Sequence, residues 1–485
     1  MLGFHMGSVP APFKRAEHDT EYWLQQINRA SVVANTESGL LDAGLARQIR
    51  SALDALLEEA GKPGADRCDL YIQFEPKLLK RCGVGASVLH AGRSSQDILA
   101  TANAAMNREH LMMLAEAVAD LCAALIEAAR RESDAVVPAY TNGVQAQPTL
   151  YSHYLLAQCR VFCRDITRLM ECCRRYDVCP MGSCVCNGTG WPLNSSRMAE
   201  LLGFSRAADN AFDAGQCQGN DLPLESSQII ASVMIHINAF LADFMQQYSQ
   251  AQPWIYSVSQ NGVYRSSAMP QKRNPGLIND CRRDAGLVLG ETDGIRLRLQ
   301  NLTLGMADAR DAWIMRDLFA DACTVVRTFT GIVSSLRVDR ERALAELNAD
   351  WTCTQEIADT LMREAGVDFR TGHRFASHFV TWARENGRTP ADTPFSAYCS
   401  IWEKFASENG LTAEFPLSED HLKKATEPLA ILQNRKTAGS ASPLMLDQQI
   451  RSAEDLLSRE RDWIEIYFAD QEAASQALSQ AIDAI

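Results

Sequence analysis

Four long stretches of this 485-residue chain lack both glycine and proline: Ile98–Val136, Thr149–Cys179, Leu224–Gln252 and Met306–Thr330. Those two residues break helices, so each stretch allows a helix of roughly 35–55 Å at 1.5 Å per residue. Alternation of β-branched and polar residues is nearly absent too, which excludes a sheet-based fold and leaves an all-α one. The chain also lacks a basic excess: 47 Lys and Arg stand against 60 Asp and Glu, a net charge of −13. Non-specific binding to nucleic acid or to an anionic membrane is excluded, and an anionic ligand needs its own local donors. The longest uncharged helical stretch, Ser226–Ala242, carries Gln228, His236 and Asn238. It reads as a core helix, too short and too polar for a membrane span. Met1–Phe13 has no sustained apolar run and does not read as a signal peptide. A soluble cytoplasmic protein is expected.

The fifteen cysteines show no disulfide framework: Cys172 and Cys173 are adjacent, and Cys122 and Cys159 fall inside apolar helical patterns. Free buried thiols in a reducing compartment are expected. Cys179, Cys184 and Cys186 cluster, but no second ligand pair stands at zinc-like spacing, so small-residue packing is the reading. Neither a metal nor a cofactor is expected.

At 485 residues the chain exceeds one compact core. Helix formers such as Leu111-Met112-Met113-Leu114-Ala115 dominate the long stretches, and apolar residues spread around much of the helical wheel. Such helices need burial on several sides. Connections rich in Gly and Pro separate them at Met181–Leu193, Asp213–Pro223 and Pro253–Pro275. The stretch after Pro275 reads as a helix interrupted at Gly286, Gly290 and Gly294 by bends or close packing. The expected division is an N-terminal helical domain, 1–97, a long-helix bundle, 98–352, and a C-terminal helical domain, 353–485.

Three polar clusters stand beside ends of the long helices. The first, His90–Asp97, joins Arg93, Ser94, Ser95 and Gln96 just before the longest helix. It reads as an anion-binding helix start or as a capping segment with Asp97 or Ser95 as the cap. The second, Tyr140–Pro148, holds Thr141, Asn142 and Gln147 and reads as a polar turn with Pro148 in the first helical turn. His153, about one turn on, reads as a core histidine. The third, Arg265–Pro275, packs hydroxyls, cations and an amide into the end of a flexible loop. That composition suits carboxylate binding under a closing lid; a solvated basic loop is the plainer alternative.

Ser266-Ser267-Ala268-Met269-Pro270-Gln271-Lys272-Arg273-Asn274-Pro275 resembles the hallmark loop of the fumarase/aspartase superfamily, in its argininosuccinate lyase-like form. Gly92-Arg93-Ser94 with Asp97 resembles that family's first motif. Thr141, Ala146-Gln147-Pro148 and Ser152-His153 resemble its second. Gly188-Thr189-Gly190 and Ala358–His373 extend the likeness over most of the chain.

The resemblance implies an all-α, three-domain fold and a homotetramer whose central helices form a twenty-helix bundle. Each active site then draws its motifs from three subunits. It also implies a small dicarboxylate substrate, with β-elimination from a succinyl group and release of fumarate. Ser266 is the implied base, forming an aci-carboxylate that Lys272 and Asn274 stabilise. Ser94 and Thr141 hold the succinyl carboxylates, with Arg93, Ser95, Gln96, Gln147 and Met269 around the substrate. The match breaks on the acid side. Argininosuccinate lyases carry a His–Glu pair where this chain has Asn142 and Asn279, a glycine where it has Arg265, and an asparagine where it has Gln96. Where they hold the arginine portion, this chain reads Gly305–Asp311 with no tyrosine nearby. The expected activity is C–N lyase action on an N-substituted aspartate other than argininosuccinate. Argininosuccinate lyase itself and an inactive structural or regulatory paralogue are the alternatives.

Overall fold

The computed structural model describes residues 12–259, 262–305 and 312–485. In chain order the elements are α1 (Thr20–Glu37), α2 (Ala43–Ala60), α3 (Tyr71–Cys82), α4 (Ser95–Arg131), β1 (Val136–Thr141), β2 (Val144–Leu150) and α5 (Tyr151–Tyr176). Then come β3 (Val178–Cys179), α6 (Ser195–Leu201), β4 (Arg206–Ala207), α7 (Gln218–Tyr248), β5 (Ile255–Ser257), β6 (Tyr264–Arg265), β7 (Arg273–Asn274) and α8 (Gly276–Leu299). The chain continues through α9 (Ala312–Ser335), β8 (Leu336–Val338), α10 (Arg340–Asn348), α11 (Thr354–Ala365), α12 (Phe369–Glu385) and α13 (Phe395–Asn409). It ends with α14 (Glu419–Thr426), α15 (Pro428–Gln433) and α16 (Pro443–Asp483). The strands pair only two at a time, as β1–β2, β3–β4, β5–β8 and β6–β7 among the described residues. The architecture is all-α, as expected.

The bundle is built around α4. Five consecutive residues, Leu111–Ala115, are buried, so every face of the helix is covered. It packs on α5, α9 and α16, while α7 packs on α5 and α8. Replacing Leu114 by Ala at such a site costs about 3 kcal/mol. Helices α5 and α7 run antiparallel: Tyr154 at the start of α5 bonds Asp243 near the end of α7, and Cys172 meets Ser226 at the other end. Helix α5 is also antiparallel to α4, with Cys173 against Arg108 and Cys159 against Cys122, so α4 and α7 are parallel, spanning about 55 and 46 Å over 37 and 31 residues.

Several local readings are corrected. The second cluster is a β-hairpin, and α5 begins only at Tyr151. Asn142 (φ 51°) and Gly143 (φ 77°) form its two-residue turn, the Asn-Gly pairing that a type I′ turn favours. Pro148 lies in β2, opposite Pro138, so both missing N–H groups fall on one rung. The Asp213–Pro223 connection is helical: a wide turn, Asp213–Cys217, leads straight into α7, which contains Pro223. With that turn, α7 is long and apolar enough to cross a membrane by length and composition alone. Its Val233, Met234, Ile237, Phe240 and Leu241 are instead buried in the core. Helix α8 runs unbroken through Gly286, Gly290 and Gly294, and a Cβ at any of them would meet nothing within 4 Å.

Two hydrophobic cores are present. The larger joins α1–α3 to the bundle and takes in α16 as well. The smaller runs from Trp351 to Ile431 and is dense in aromatics, with Phe379 stacked on Tyr398 at 3.9 Å. The boundary expected after residue 97 lies in the first turn of α4, and α16, placed by sequence in the C-terminal unit, packs on α4 and α5.

Candidate active site

The first cluster is a tightly braced corner. Ser94, rather than Asp97 or Ser95, is the N-cap of α4. Its Oγ accepts the Gln96 N–H at 3.2 Å, and Asp97 accepts the Ser94 N–H at 2.7 Å. The other Asp97 oxygen accepts N–H groups of Cys184 and Gly182 at 3.2 and 3.4 Å, tying down the loop before α6. Burial pushes the Asp97 carboxyl upward in pKa, against the pull of the Ser94 and Cys184 N–H groups. Ser95 is half-buried in the first turn.

Arg93, expected around the substrate, is buried and turned inward. It donates to Ser31 Oγ at 2.8 Å and to Asn28 Oδ1 and the Tyr71 hydroxyl at 3.0 Å each. It therefore braces the Ser94 turn against α1 and α3. Gln96 donates to the Gly215 carbonyl at 2.8 Å. Gln216 donates to the Val185 carbonyl at 2.6 Å, and Val185 sits at φ 76°, strained for a β-branched residue. A Cβ on Gly215 would lie 2.2 Å from that carbonyl, so only glycine fits. Beside Gln96 opens a cavity of about 640 Å³, also lined by Asp19, Asp69, Asn103, Gln218 and Arg316. Asp19 pairs with Arg67, and Arg316 with Glu17, so charges of both signs in this wall are already committed.

The second cluster lies at the other end of the bundle. Thr141 and Asn142 are exposed at the hairpin tip. The tip is held where Gln246 near the end of α7 donates to the Gly143 carbonyl at 3.1 Å. Gln147 donates to Gln355, and Gln145 to Glu346. His153 meets Gln449 of α16 at 3.0 Å, a satisfied structural histidine.

The third cluster is a small hairpin of its own, β6 against β7, with Ser266–Lys272 as its tip. The Ser266 N–H donates to the Lys272 carbonyl at 3.2 Å, and Ser266 Oγ accepts the Met269 N–H at 3.2 Å. A hydroxyl oxygen facing an amide N–H is favoured when it carries negative charge. Lys272 and Met269 are exposed, and Asn274 is half-buried. The Tyr248 hydroxyl at the end of α7 donates to the Arg273 carbonyl at 2.9 Å. Asn279 sits in the first turn of α8. Of the segment expected to contact the leaving group, Gly305 is described, and residues 306–311 lie outside the described residues.

A family profile described as Lyase matches residues 12–290. Argininosuccinate lyase of Methanoculleus marisnigri is 30% identical over 473 residues, covering 93% of this chain and 91% of that protein. Argininosuccinate lyase of Acidothermus cellulolyticus is 29% identical over 83% and 82% of the two chains. The chain belongs to the lyase family. It lies on the argininosuccinate lyase-like branch of the fumarase/aspartase superfamily, as a fumarate-releasing carbon–nitrogen lyase. Among solved structures, an EDDS lyase variant with bound fumarate shares the fold at a TM-score of 0.85 and 24% identity, covering 98% of this chain and 97% of that one.

The three motifs of this lyase do not meet within one chain. Ser94 is tied to the start of α7 through Gln96 and Gly215, whereas Thr141 and Ser266 are tied to its end through Gln246 and Tyr248. The length of α7 puts roughly 45 Å between the two ends. Sequence reasoning missed the residues that position the motifs, namely Asn28, Ser31, Tyr71, Gln246 and Tyr248. Only the Asn142-Gly143 pair carried a local signal.

Proposed function

We propose that this lyase eliminates an amine other than arginine from an N-substituted aspartate, in a homotetramer whose active sites are shared between chains. The arrangement of Ser266 carries the reading. Its Oγ faces an amide N–H, in a tip that also bears Lys272. An alkoxide there removes the proton from the carbon beside one carboxylate. The electron pair moves into that carboxylate, giving a dianionic aci-carboxylate that Lys272 and Asn274 stabilise. Collapse re-forms the carboxylate, makes the carbon–carbon double bond and expels the amine with the C–N pair. Ser94 and Thr141 hold the succinyl carboxylates, and Gln96, oriented by Gly215, lies beside them.

Protonation of the leaving group sets this chain apart. Asn142 and Asn279 have no proton of useful acidity, so the proton comes from water or another residue, or the amine leaves with little assistance. The roughly 45 Å between motifs within one chain supports shared sites, and the side-chain-free glycine face of α8 leaves room for another chain's helix. Division into units 1–97, 98–352 and 353–485 belongs to the same proposal. A cytoplasmic location is supported by fifteen cysteines that are all free thiols.

The test is fumarate release from argininosuccinate beside N-carboxyalkyl and N-aminoalkyl aspartates. The proposal expects argininosuccinate to be the poorer substrate by ~10³ in kcat/KM, because a site built for other partners leaves its guanidinium unpaired. The 30% identity to an argininosuccinate lyase favours a second reading, that activity with a rearranged pocket. Argininosuccinate as the best substrate would establish it.

A further inference from the structure

We propose that Cys122, Cys159 and Cys163 form a binding site for one soft monovalent metal ion of the copper(I) class, held by three thiolates inside the bundle. Cys122 projects from α4, while Cys159 and Cys163 stand four residues apart on α5, so their side chains share one face. All three are at most 2% exposed, and their sulfurs all lie within 4.8 Å of one another, with Cys122 and Cys163 at 3.8 Å. Three sulfurs arranged trigonally around an ion at about 2.3 Å stand about 4.0 Å apart, so the observed cluster needs only small side-chain movements to close on one. No other group of three His, Cys or carboxylate ligands comes together among the described residues.

The ligand count selects the ion. Zinc takes four ligands in a closed structural site, whereas three soft sulfurs with no fourth ligand suit three-coordinate copper(I). The Cys163 thiol donates to Cys122 Sγ, and the Cys122 and Cys159 thiols face each other's backbone carbonyls, each at 3.8 Å. Each sulfur that coordinates loses its S–H proton to solvent as its bond to the ion forms. The site is remote from Ser94, and nothing in the elimination uses it. Its effect is to clamp α4 to α5 two or three turns from the hairpin that carries Thr141.

The experiment titrates the reduced full-length protein anaerobically with copper(I) buffered by a chromogenic chelator. It follows sulfur-to-copper charge transfer in the near ultraviolet and the thermal midpoint. One equivalent per chain is expected, with a midpoint raised by about 3 °C or more, and with both effects absent from C122A/C159A/C163A. If that variant does not fold, Cys163→Ala alone is expected to weaken binding at least ~10-fold by removing one of three ligands. C184A/C186A is expected to bind as the parent does. No uptake by the parent, uptake unchanged in the cysteine variants, or uptake lost in C184A/C186A would overturn the proposal.

Discussion

The Ser94 corner and the Ser266 loop carry motifs of the same reaction, yet they are held in opposite ways. At the corner, Arg93 is buried on three partners, and Asp97 gathers three backbone N–H groups from two segments. At the loop, among the described residues, a two-rung ribbon and one tyrosine hydroxyl do the holding, and most side chains from Arg265 to Arg273 are exposed. The corner is part of the fold, and the loop is attached to it. The proposed reaction uses both: a rigid seat for the carboxylates at Ser94, and a base at Ser266 on a segment free to move. Damage to the corner therefore shows in stability, and damage to the loop shows in turnover alone.

The largest effect separates the two cleanly. Ser266→Ala should lower kcat by ~10³ or more, with the unfolding midpoint and ligand affinity close to the parent's. Near-normal turnover would remove Ser266 from the chemistry. On the corner side, Asp97→Ala strands three N–H donors in a buried site. It should cost about 3 kcal/mol in urea unfolding and reduce activity as well. Loss of activity without loss of stability would show that the corner is not part of the fold in this sense.

These two regions also show how much was legible in the sequence. The long helices were, because glycine and proline are missing from them, and the three motifs were, because each is contiguous. The partners that orient the motifs were not. Arg93 reaches residues 22, 62 and 65 positions away, and Asp97 reaches 85 and 87, with no local pattern to announce either. The hairpin was not legible because Pro138 and Pro148, which argue against a strand, stand in its two arms. The start of α7 was misread because Gly215, Gly219 and Pro223, breakers elsewhere, here accompany a wide turn and a close approach to Val185.

The Thr141 hairpin sits between the two extremes. Gly143→Ala puts a Cβ on a residue at φ 77° and should cost about 1 kcal/mol of stability. KM should rise more than kcat falls, because the displaced tip carries Thr141, the hydroxyl proposed to bind a carboxylate. The smallest effect belongs to the loop's tyrosine tether. Tyr248→Phe removes the bond to the Arg273 carbonyl and should lower kcat/KM by about five-fold, worth about 1 kcal/mol, with no change in unfolding. A measurable drop in stability would show that the loop is built into the fold after all.

The proposed sharing of sites between chains is supported by the roughly 45 Å that α7 puts between Ser94 and Ser266. Mixed assembly of two inactive variants tests it most directly. Ser266→Ala removes the proposed base. Ser94→Asp keeps a good N-cap at the start of α4 while setting a negative charge against the substrate carboxylate. Each variant alone should be inactive. After co-assembly, roughly a quarter of the sites in a random mixture should carry neither lesion, and fumarate release should recover to that extent. No recovery in verified mixed oligomers, or a fully active monomer, would contradict the account.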